Sequence, residues 1–318
     1  MPQLTLAQAR VINPVLTSVA QGYENSDFIG SKLFPVVPVG LRAGNIITFG
    51  KEAFMQYAGL QRAPGAATKR VQFGYAGSLF ALADYSLEGS LPIETLQEGI
   101  ANANGFSIDG AKLAINGVQN IMALRLEIAQ ATLATTLANY PAANRLTLSG
   151  TSQWSDLTTG VSDPINTIET GKEAIRAAIG KRPNTMIMGA AVFKSLKQHP
   201  KIVDRMKYTG RDVLTVELMQ SLFGIANIFI GEAIQSSDAG VFSDVWGKHV
   251  VLAYTETSPL AAMGTPTFGY TYNLGGYPLV EEPYYERNPK TWFFPVTRSE
   301  APVIAGSSAG YFIQNAVA

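Results

Sequence analysis

Residues 107–140 read SIDGAKLAINGVQNIMALRLEIAQATLATTLANY, and this stretch decides the fold. Its apolar residues Ala111, Ile115, Val118, Met122, Ala129, Leu133 and Leu137 recur at spacings of three, four and seven, which sets them on one face of a helix. Ser107 is placed to cap the first turn and Pro141 to stop the last. At about 1.5 Å per residue such a helix spans roughly 50 Å, longer than most globular cores require. A core helix of an α/β enzyme is the alternative that the pattern alone leaves open. A shorter helical piece, Pro92 to Ala103, precedes it, with Asn104-Gly105 as the break.

Working outward toward the N-terminus, two strand-like stretches, Ile46-Ile47-Thr48-Phe49 and Lys69-Arg70-Val71-Gln72-Phe73-Gly74-Tyr75, flank a polar middle from Tyr57 to Thr68 that holds Gly59, Pro64 and Gly65. This predicts a long two-stranded loop projecting from the body. Such a hairpin is only marginally stable alone and needs something to pack on, such as a neighbouring subunit. Ahead of it, Leu33-Phe34-Pro35-Val36-Val37-Pro38-Val39 sets two prolines among β-formers, which suits an edge strand or extended segment. Residues 1–30 are polar, with Asn13-Pro14 and Asn25-Ser26-Asp27 as breaks, and read as an extended arm outside the core.

Toward the C-terminus, a Thr/Ser/Gly-rich stretch from Thr147 to Ser162 leads into alternating helices and strands. Helices are expected at Ile165 to Ile179, Ala190 to Gln198 and Val213 to Phe223, and strands at Thr185 to Met188, Ile228 to Ile230 and Val250 to Tyr254. Together they predict a compact α/β domain ending near Glu282. The tail, Tyr284 to Ala318, is rich in β-formers and prolines and is expected to return and pair with earlier strands.

Composition narrows the class. Hydrophobic residues make up 47% of the 318 and charged residues 15%, against about 25% charged in ordinary soluble domains. The shortfall reads as surface intended for other subunits. An ordinary Ala- and Gly-rich bacterial protein would share it. Lys plus Arg and Asp plus Glu are each 24, so the formal net charge is zero and no global field draws the chain onto nucleic acid, although a local basic patch still could. With no cysteine, disulfides, thiolate metal sites and a cysteine nucleophile are excluded. Arg10 precedes no continuous apolar run, so the start makes a poor signal peptide. No apolar run approaches the length of a membrane span, so no membrane partner is expected.

The sequence offers little chemistry. His199, in Gln198-His199-Pro200, suits a capping or solvent role at a helix end, and His249 beside Lys248 is expected to be partly exposed. Neither has metal-ligand spacing. Gly171-Lys172 and Gly247-Lys248 lack the upstream glycine of a phosphate loop, and there is no G-x-S-x-G elbow. No catalytic, cofactor or metal residues are therefore assigned. An enzyme would have to rely on carboxylates, of which Glu281, Glu282 and Glu286 lie beside Tyr284 and Tyr285. Adjacent strand residues face opposite ways, so Glu281 and Glu282 are poorly placed to flank one bond.

The order of parts and several stretches resemble the major capsid proteins of tailed bacteriophages and prophages, of the Hong Kong 97 type. The stretches are Ser26-Asp27-Phe28-Ile29-Gly30 followed by Leu33 to Val39; Arg182-Pro183-Asn184-Thr185-Met186-Ile187-Met188-Gly189 with Val192-Phe193 and Leu196-Lys197-Gln198-His199-Pro200; and Pro302-Val303-Ile304-Ala305-Gly306 with Ala309-Gly310-Tyr311-Phe312-Ile313. The resemblance covers nearly the whole chain. It implies an α+β fold with an N-terminal arm at 1–44, an extended loop at 45–82, a peripheral domain at 83–160 and 283–318 holding the long spine helix and returning strands, and an α/β axial domain at 161–282.

The resemblance also implies a function: assembly of pentamers and hexamers of the chain itself into an icosahedral head around double-stranded DNA, held non-specifically. A scaffolding protein, a portal and a decoration protein are the further partners it implies. The place of assembly would be the host bacterial cytoplasm and the destination the virion. Phe54, Met55, Tyr57, Leu60 and Arg62, in the projecting loop, are expected to lie over a neighbouring subunit. Lys51 and Lys69 sit where some relatives form a lysine–asparagine cross-link, but the partner asparagine and assisting glutamate find no match, so that chemistry is not carried over. No long region ahead of the arm acts as a built-in scaffold, so a separate scaffolding protein or a removed N-terminal segment is expected. An encapsulin-like compartment and an oligomeric α/β enzyme using Glu281 or Glu286 are the alternatives.

Overall fold

The computed structural model describes residues 14–21, 28–46, 61–62, 64–65, 68, 70, 78–95, 110–158, 160–206, 215–256 and 267–318. The chain enters through helix α1 (Pro14–Gln21) and the single turn α2 (Gly30–Leu33). Pro14, read as a breaker, instead opens α1, because a residue at the first helical position has no intrahelical N–H bond to lose. Strand β1 (Val36–Val39) follows, then β2 (Ala43–Ile46) and β3 (Ser78–Ala81), which pair antiparallel from Ala43↔Ala81 to Ile46↔Ser78. This pair brackets the segment expected as a projecting loop. The expected strand Ile46–Phe49 lies outside the described residues beyond Ile46, as does Lys69–Tyr75 apart from Arg70.

Strand β4 (Ala83–Pro92) runs straight into the segment expected to be helical. Residues 93–95 do turn helical, and 96–109 lie outside the described residues, including the proposed cap Ser107. The long helix α3 is Gly110–Thr135, 26 residues or about 39 Å at 1.5 Å per residue. It stops short of the expected Tyr140. Thr132, Thr135 and Thr136 each turn a hydroxyl back onto the carbonyl four residues earlier, Asn139 Nδ2 donates to the Leu133 carbonyl, and the Tyr140 hydroxyl donates to the Ala134 carbonyl at 2.7 Å. Side chains from the following turn thus satisfy the helix end, and β-branched Thr136 adopts an extended backbone.

Next come β5 (Arg145–Thr147), α4 (Pro164–Ile179), β6 (Thr185–Gly189), α5 (Ala190–Gln198), α6 (Pro200–Met206), α7 (Val216–Phe223) and β7 (Asn227–Gly231). Helix α4 has the ends its sequence announces: Asp163 accepts from the Asn166 N–H at 3.0 Å, Pro164 sits at the first position, and Gly180 takes a φ of 71° that a side chain would oppose. Strands β8 (Ile234–Ser236) and β9 (Phe242–Asp244) form a hairpin, before β10 (Val250–Ala253), β11 (Gly269–Leu274), β12 (Leu279–Val280), β13 (Tyr284–Glu286), β14 (Thr291–Ile304) and β15 (Gly310–Gln314).

Two sheets organise the described residues. In the first, 14-residue β14 is the hub: β4 pairs with it from Thr291↔Pro92 to Glu300↔Ala83, β11, β12 and β13 also pair with it, and β1 joins parallel to β11. The second has the order β5-β15-β10-β6-β7. The returning tail is therefore divided, with β13 and β14 in the first sheet and β15 in the second between β5 and β10. Every residue of β6 and β10 is buried, as are Gly310 to Ile313, so these continuous apolar runs need cover on both faces. Helices α4, α5 and α7 pack on this sheet, and α2 and α3 also contact it.

The core follows this division. One cluster gathers Trp154, Ile168, Ile175, Met186 to Met188, Val192, Leu196 and Phe312 around the second sheet, and a smaller one gathers Ala20, Leu91, Ile115, Val118, Met122, Val280, Phe294 and Val296 around the first. Ala20, Leu33 and Phe34 belong to these cores, so part of the segment expected as an arm is packed into the body. Helix α3 contributes to both clusters, Ile115 to Met122 to the smaller and Ala131 and Ala134 to the larger. No helix among the described residues is long and apolar enough to cross a membrane.

Candidate assembly surface

Between the two cores α3 turns a polar face inward. Gln119, Glu127 and Gln130 are buried on it. Arg298 donates to Gln119 at 3.0 Å, Arg125 pairs with Glu300 and lies 3.3 Å from the centre of the Tyr85 ring, and Gln130 donates to Thr271, whose hydroxyl donates in turn to the Phe34 carbonyl. Buried polar groups in a chain of this kind specify one register, because any slip would leave them without partners.

Glu127 is the centre of this layer. Its carboxylate accepts from the Trp246 indole Nε1 at 2.6 Å, from the Gly30 N–H at 2.8 Å and from the Ile29 N–H at 3.1 Å. Three distant segments, the arm, the long helix and the loop after β9, thus meet on two oxygens. A side chain at position 30 would collide with Glu127 and Gln130, since a Cβ there would lie 2.1 Å from Gln130 Oε1, so only glycine lets α2 approach this closely. Burial pushes the Glu127 carboxyl up, against the pull of the three donors.

Outside this joint, large apolar side chains stand in water. At and beside the β2–β3 pair Leu41 is 72% exposed and Leu79 77%, while Phe80 turns inward and stacks on Tyr272 at 4.3 Å. On the outer face of α3, Leu113 and Ile121 are exposed. On the β8–β9 hairpin, Phe242 is 70% exposed, Val241 64% and Ile234 53%. Single exposed apolar residues are ordinary, but groups of them on projecting elements are the mark of surfaces that another chain covers.

The expected contact residues of the loop fall mostly beyond view. Phe54, Met55, Tyr57 and Leu60 lie outside the described residues. Arg62 is described, exposed, and donates to the Thr68 hydroxyl at 3.3 Å across a turn at Pro64-Gly65. Trp246, Glu127 and the β8–β9 hairpin did not emerge from sequence reasoning. A charged residue inside the apolar run of α3 was the one available signal.

The carboxylates considered for catalysis are spread along an edge. The Glu281 N–H donates to the Pro295 carbonyl, and Glu286 pairs with Thr291 in the same sheet. They face positions of β14 four residues apart, about 13 Å at 3.3 Å per residue, beyond the roughly 5–9.5 Å that carboxylate pairs in glycoside cleavage use. An open depression of about 400 Å³ is lined by Asp163, Ile165, Asn166, Glu169, Arg205 and Leu222. Its acids are already engaged: Asp163 caps α4 and pairs with Lys201 at 3.0 Å, and Glu169 pairs with Lys172 at 2.6 Å. Burial would raise the Asp163 carboxyl, but the Asn166 amide and Lys201 outweigh it and hold the group below its ordinary range.

The histidines differ from expectation in one respect. His199 is not a solvent residue but is buried, with Nε2 3.1 Å from the Ser162 hydroxyl, because α5 ends at Gln198 and Pro200 opens α6, leaving His199 at an inward corner. His249 is half-buried and its Nδ1 accepts from the Asn315 N–H at 3.1 Å.

Comparison with known proteins bears on what these surfaces are for. Residues 138–297 match the family described as Phage major capsid protein E. The chain is 36% identical over 312 residues to the major capsid protein of Burkholderia phage BcepMu, covering 97% of each. Among solved structures, a phage-related protein from Bordetella bronchiseptica RB50 superimposes with a TM-score of 0.82 at 40% identity, over 97% of this chain and 98% of that one. The capsid of cyanophage P-SCSP1u gives a TM-score of 0.55 at 12% identity, over 89% and 86%, a likeness of fold alone.

Proposed function

The chain belongs to the family of phage major capsid proteins, and from that premise we propose that it closes into the icosahedral head that holds the double-stranded DNA of a tailed phage. Its architecture is the Hong Kong 97-like α+β capsid fold and its role is structural, as a virion component built from many copies of itself. The observation that supports closure is the apolar surface a single subunit leaves bare at Leu41, Leu79, Leu113 and Phe242. One subunit offering different surfaces to its neighbours makes head-to-tail contacts, which close into rings of five and six. Each contact is weak, and a subunit held by several neighbours at once rarely leaves.

In this reading the first sheet with α3 is the peripheral domain and the second sheet with α4 to α7 the axial domain. The boundaries drawn along the sequence then shift to follow strand pairing, with β11 and β12 on the peripheral side and β15 on the axial side. The projecting loop, with Phe54, Met55, Tyr57, Leu60 and Arg62, lies over a neighbouring subunit. A scaffolding protein guides closure, a portal occupies one vertex, a decoration protein binds outside, and DNA is held without sequence preference. Assembly takes place in the host bacterial cytoplasm.

Electron microscopy of the expressed chain, alone and with the neighbouring reading frames, tests this. Closed shells that purify with nucleic acid are expected when the packaging genes are present. A small oligomer of fixed size under every condition would sink the proposal, and shells filled with a cargo enzyme would move it to an encapsulin-like compartment.

A further inference from the structure

The β8–β9 hairpin is a sheet of two strands only, with no third strand beside it among the described residues. Its register pairs Ile234 with Asp244 and Ser236 with Phe242, so Ile234 and Phe242 share one face, and Val241 stands at the turn. A hairpin this short is marginal without cover. Residues 232–247 carry Glu232, Asp238 and Asp244 and no Lys, Arg or His, a net charge of −3. The feature is an apolar finger with an acidic rim.

Its complement lies elsewhere on the same chain. Helices α5 and α6, residues 190–206, carry Lys194, Lys197, Lys201 and Arg205 against Asp204, so 4 − 1 gives +3 with His199 neutral. Lys194, Lys197 and Arg205 are exposed, while Lys201 is held by Asp163. The Lys197 ammonium stands 4.2 Å over the half-buried Phe193 ring, so the ridge presents an aromatic surface among cations.

We propose that the β8–β9 hairpin of one subunit docks on the α5–α6 ridge of a second copy of this chain. Phe242 and Val241 pack beside Phe193 and the acids Asp238 and Asp244 face Lys194 and Lys197. The inference rests on the self-assembly reading above. Two unlike patches of opposite sign on one chain satisfy each other only between copies when the finger is bare in the single subunit, and such a contact is head-to-tail, the kind that forms rings. Opposite charge steers the encounter and fixes its register, while the apolar tip supplies the burial.

The experiment compares the wild-type chain with Lys194→Glu/Lys197→Glu, Asp238→Lys/Asp244→Lys, and the four changes combined. Closed shells are counted by electron microscopy, and soluble subunits are followed by thermal unfolding. Each pair is expected to lower shell yield at least about tenfold, and the combination to return it to within about threefold of wild type, because the reversed charges again match. The sites are exposed, so subunit unfolding temperatures are expected to stay within about 2 °C of wild type. Phe242→Ser reads the apolar half separately and is expected to give folded subunits and few shells. Normal shells from wild type and from both pairs would overturn the docking while leaving self-assembly standing. Defects in both pairs without rescue in the combination would overturn it as well. Normal yields from Lys194→Glu/Lys197→Glu with less nucleic acid inside would overturn it and give the ridge to the DNA backbone. Failure of the wild-type chain to form shells with its neighbouring genes would remove the self-assembly reading itself.

Discussion

Trp246→Phe isolates the bond on which three segments of this subunit converge. The indole N–H is one of three donors to the Glu127 carboxylate, and Trp246 is 2% exposed, so phenylalanine removes the donor and leaves a small void. A hydrogen bond to a charged group contributes about 1.5–3 kcal/mol, and the lost ring volume costs about 1 kcal/mol more. At roughly 2 °C per kcal/mol for a chain of this size, the unfolding temperature of soluble subunits should fall by about 5–8 °C at pH 7.

The two parts separate by pH. Burial already raises the Glu127 carboxyl above its unfolded value of 4.5, so its stability contribution is present at low pH and is lost as pH rises through the folded value. Losing a donor raises that value further in the variant, which therefore gains more than wild type as pH falls toward 4.5. The gap between the two proteins should be widest at pH 7 and narrow in acid toward the packing part plus the smaller contribution of a bond to a neutral carboxyl. Other titrating groups are common to both proteins and cancel in the difference. Calorimetry of unassembled subunits at several pH values reads this directly. A gap of constant size across that range would refute the role given to the indole N–H.

Three further outcomes are expected. Burial lowers both histidines, so they favour folding above the unfolded value of about 6.5 and cost stability as pH falls through their depressed folded values; His249→Gln should flatten that acid slope in a thermal-unfolding series, and an unchanged slope would count against it. Leu79→Ser, at a side chain 77% exposed, should change subunit stability by less than about 0.5 kcal/mol yet reduce shell yield, and unaltered assembly would argue that the loop base touches no neighbour. Replacing residues 53–66 by a short Gly-Ser linker should leave a folded subunit that fails to form shells, and normal particles would contradict the contact assigned to the projecting loop.

Local signals carried much of this fold. Helices α4 and α5 stand where period and caps put them, because Asp163-Pro164 and Gly180 are side-chain and backbone statements readable without tertiary context. Strands β6, β7 and β10 announce themselves as short apolar runs. Helix α6 was missed because Pro200 reads equally as the stop of one helix and the start of the next. Strand β4 has no counterpart in the sequence reading, and its last residue, Pro92, suits either a strand end or a first helical turn. The end of α3 at Thr135 depends on Asn139 and Tyr140 reaching back, which no period predicts. Glu127 and Trp246 are 119 residues apart, and the division of the tail between two sheets is equally non-local. The hairpin at Phe242 left no signal, because its apolar residues Ile234, Val241 and Phe242 do not alternate with polar ones.

The polar layer on α3 has a mechanical consequence. Gln119, Arg125, Glu127 and Gln130 act like teeth on a rail, engaging Arg298, Glu300, Trp246 and Thr271 at set heights. Sliding one body past the other by a helical turn, about 5.4 Å, would disengage every tooth at once. The subunit therefore behaves as a stiff tile along this axis, and in the proposed shell any difference in curvature between rings falls to the seams between tiles.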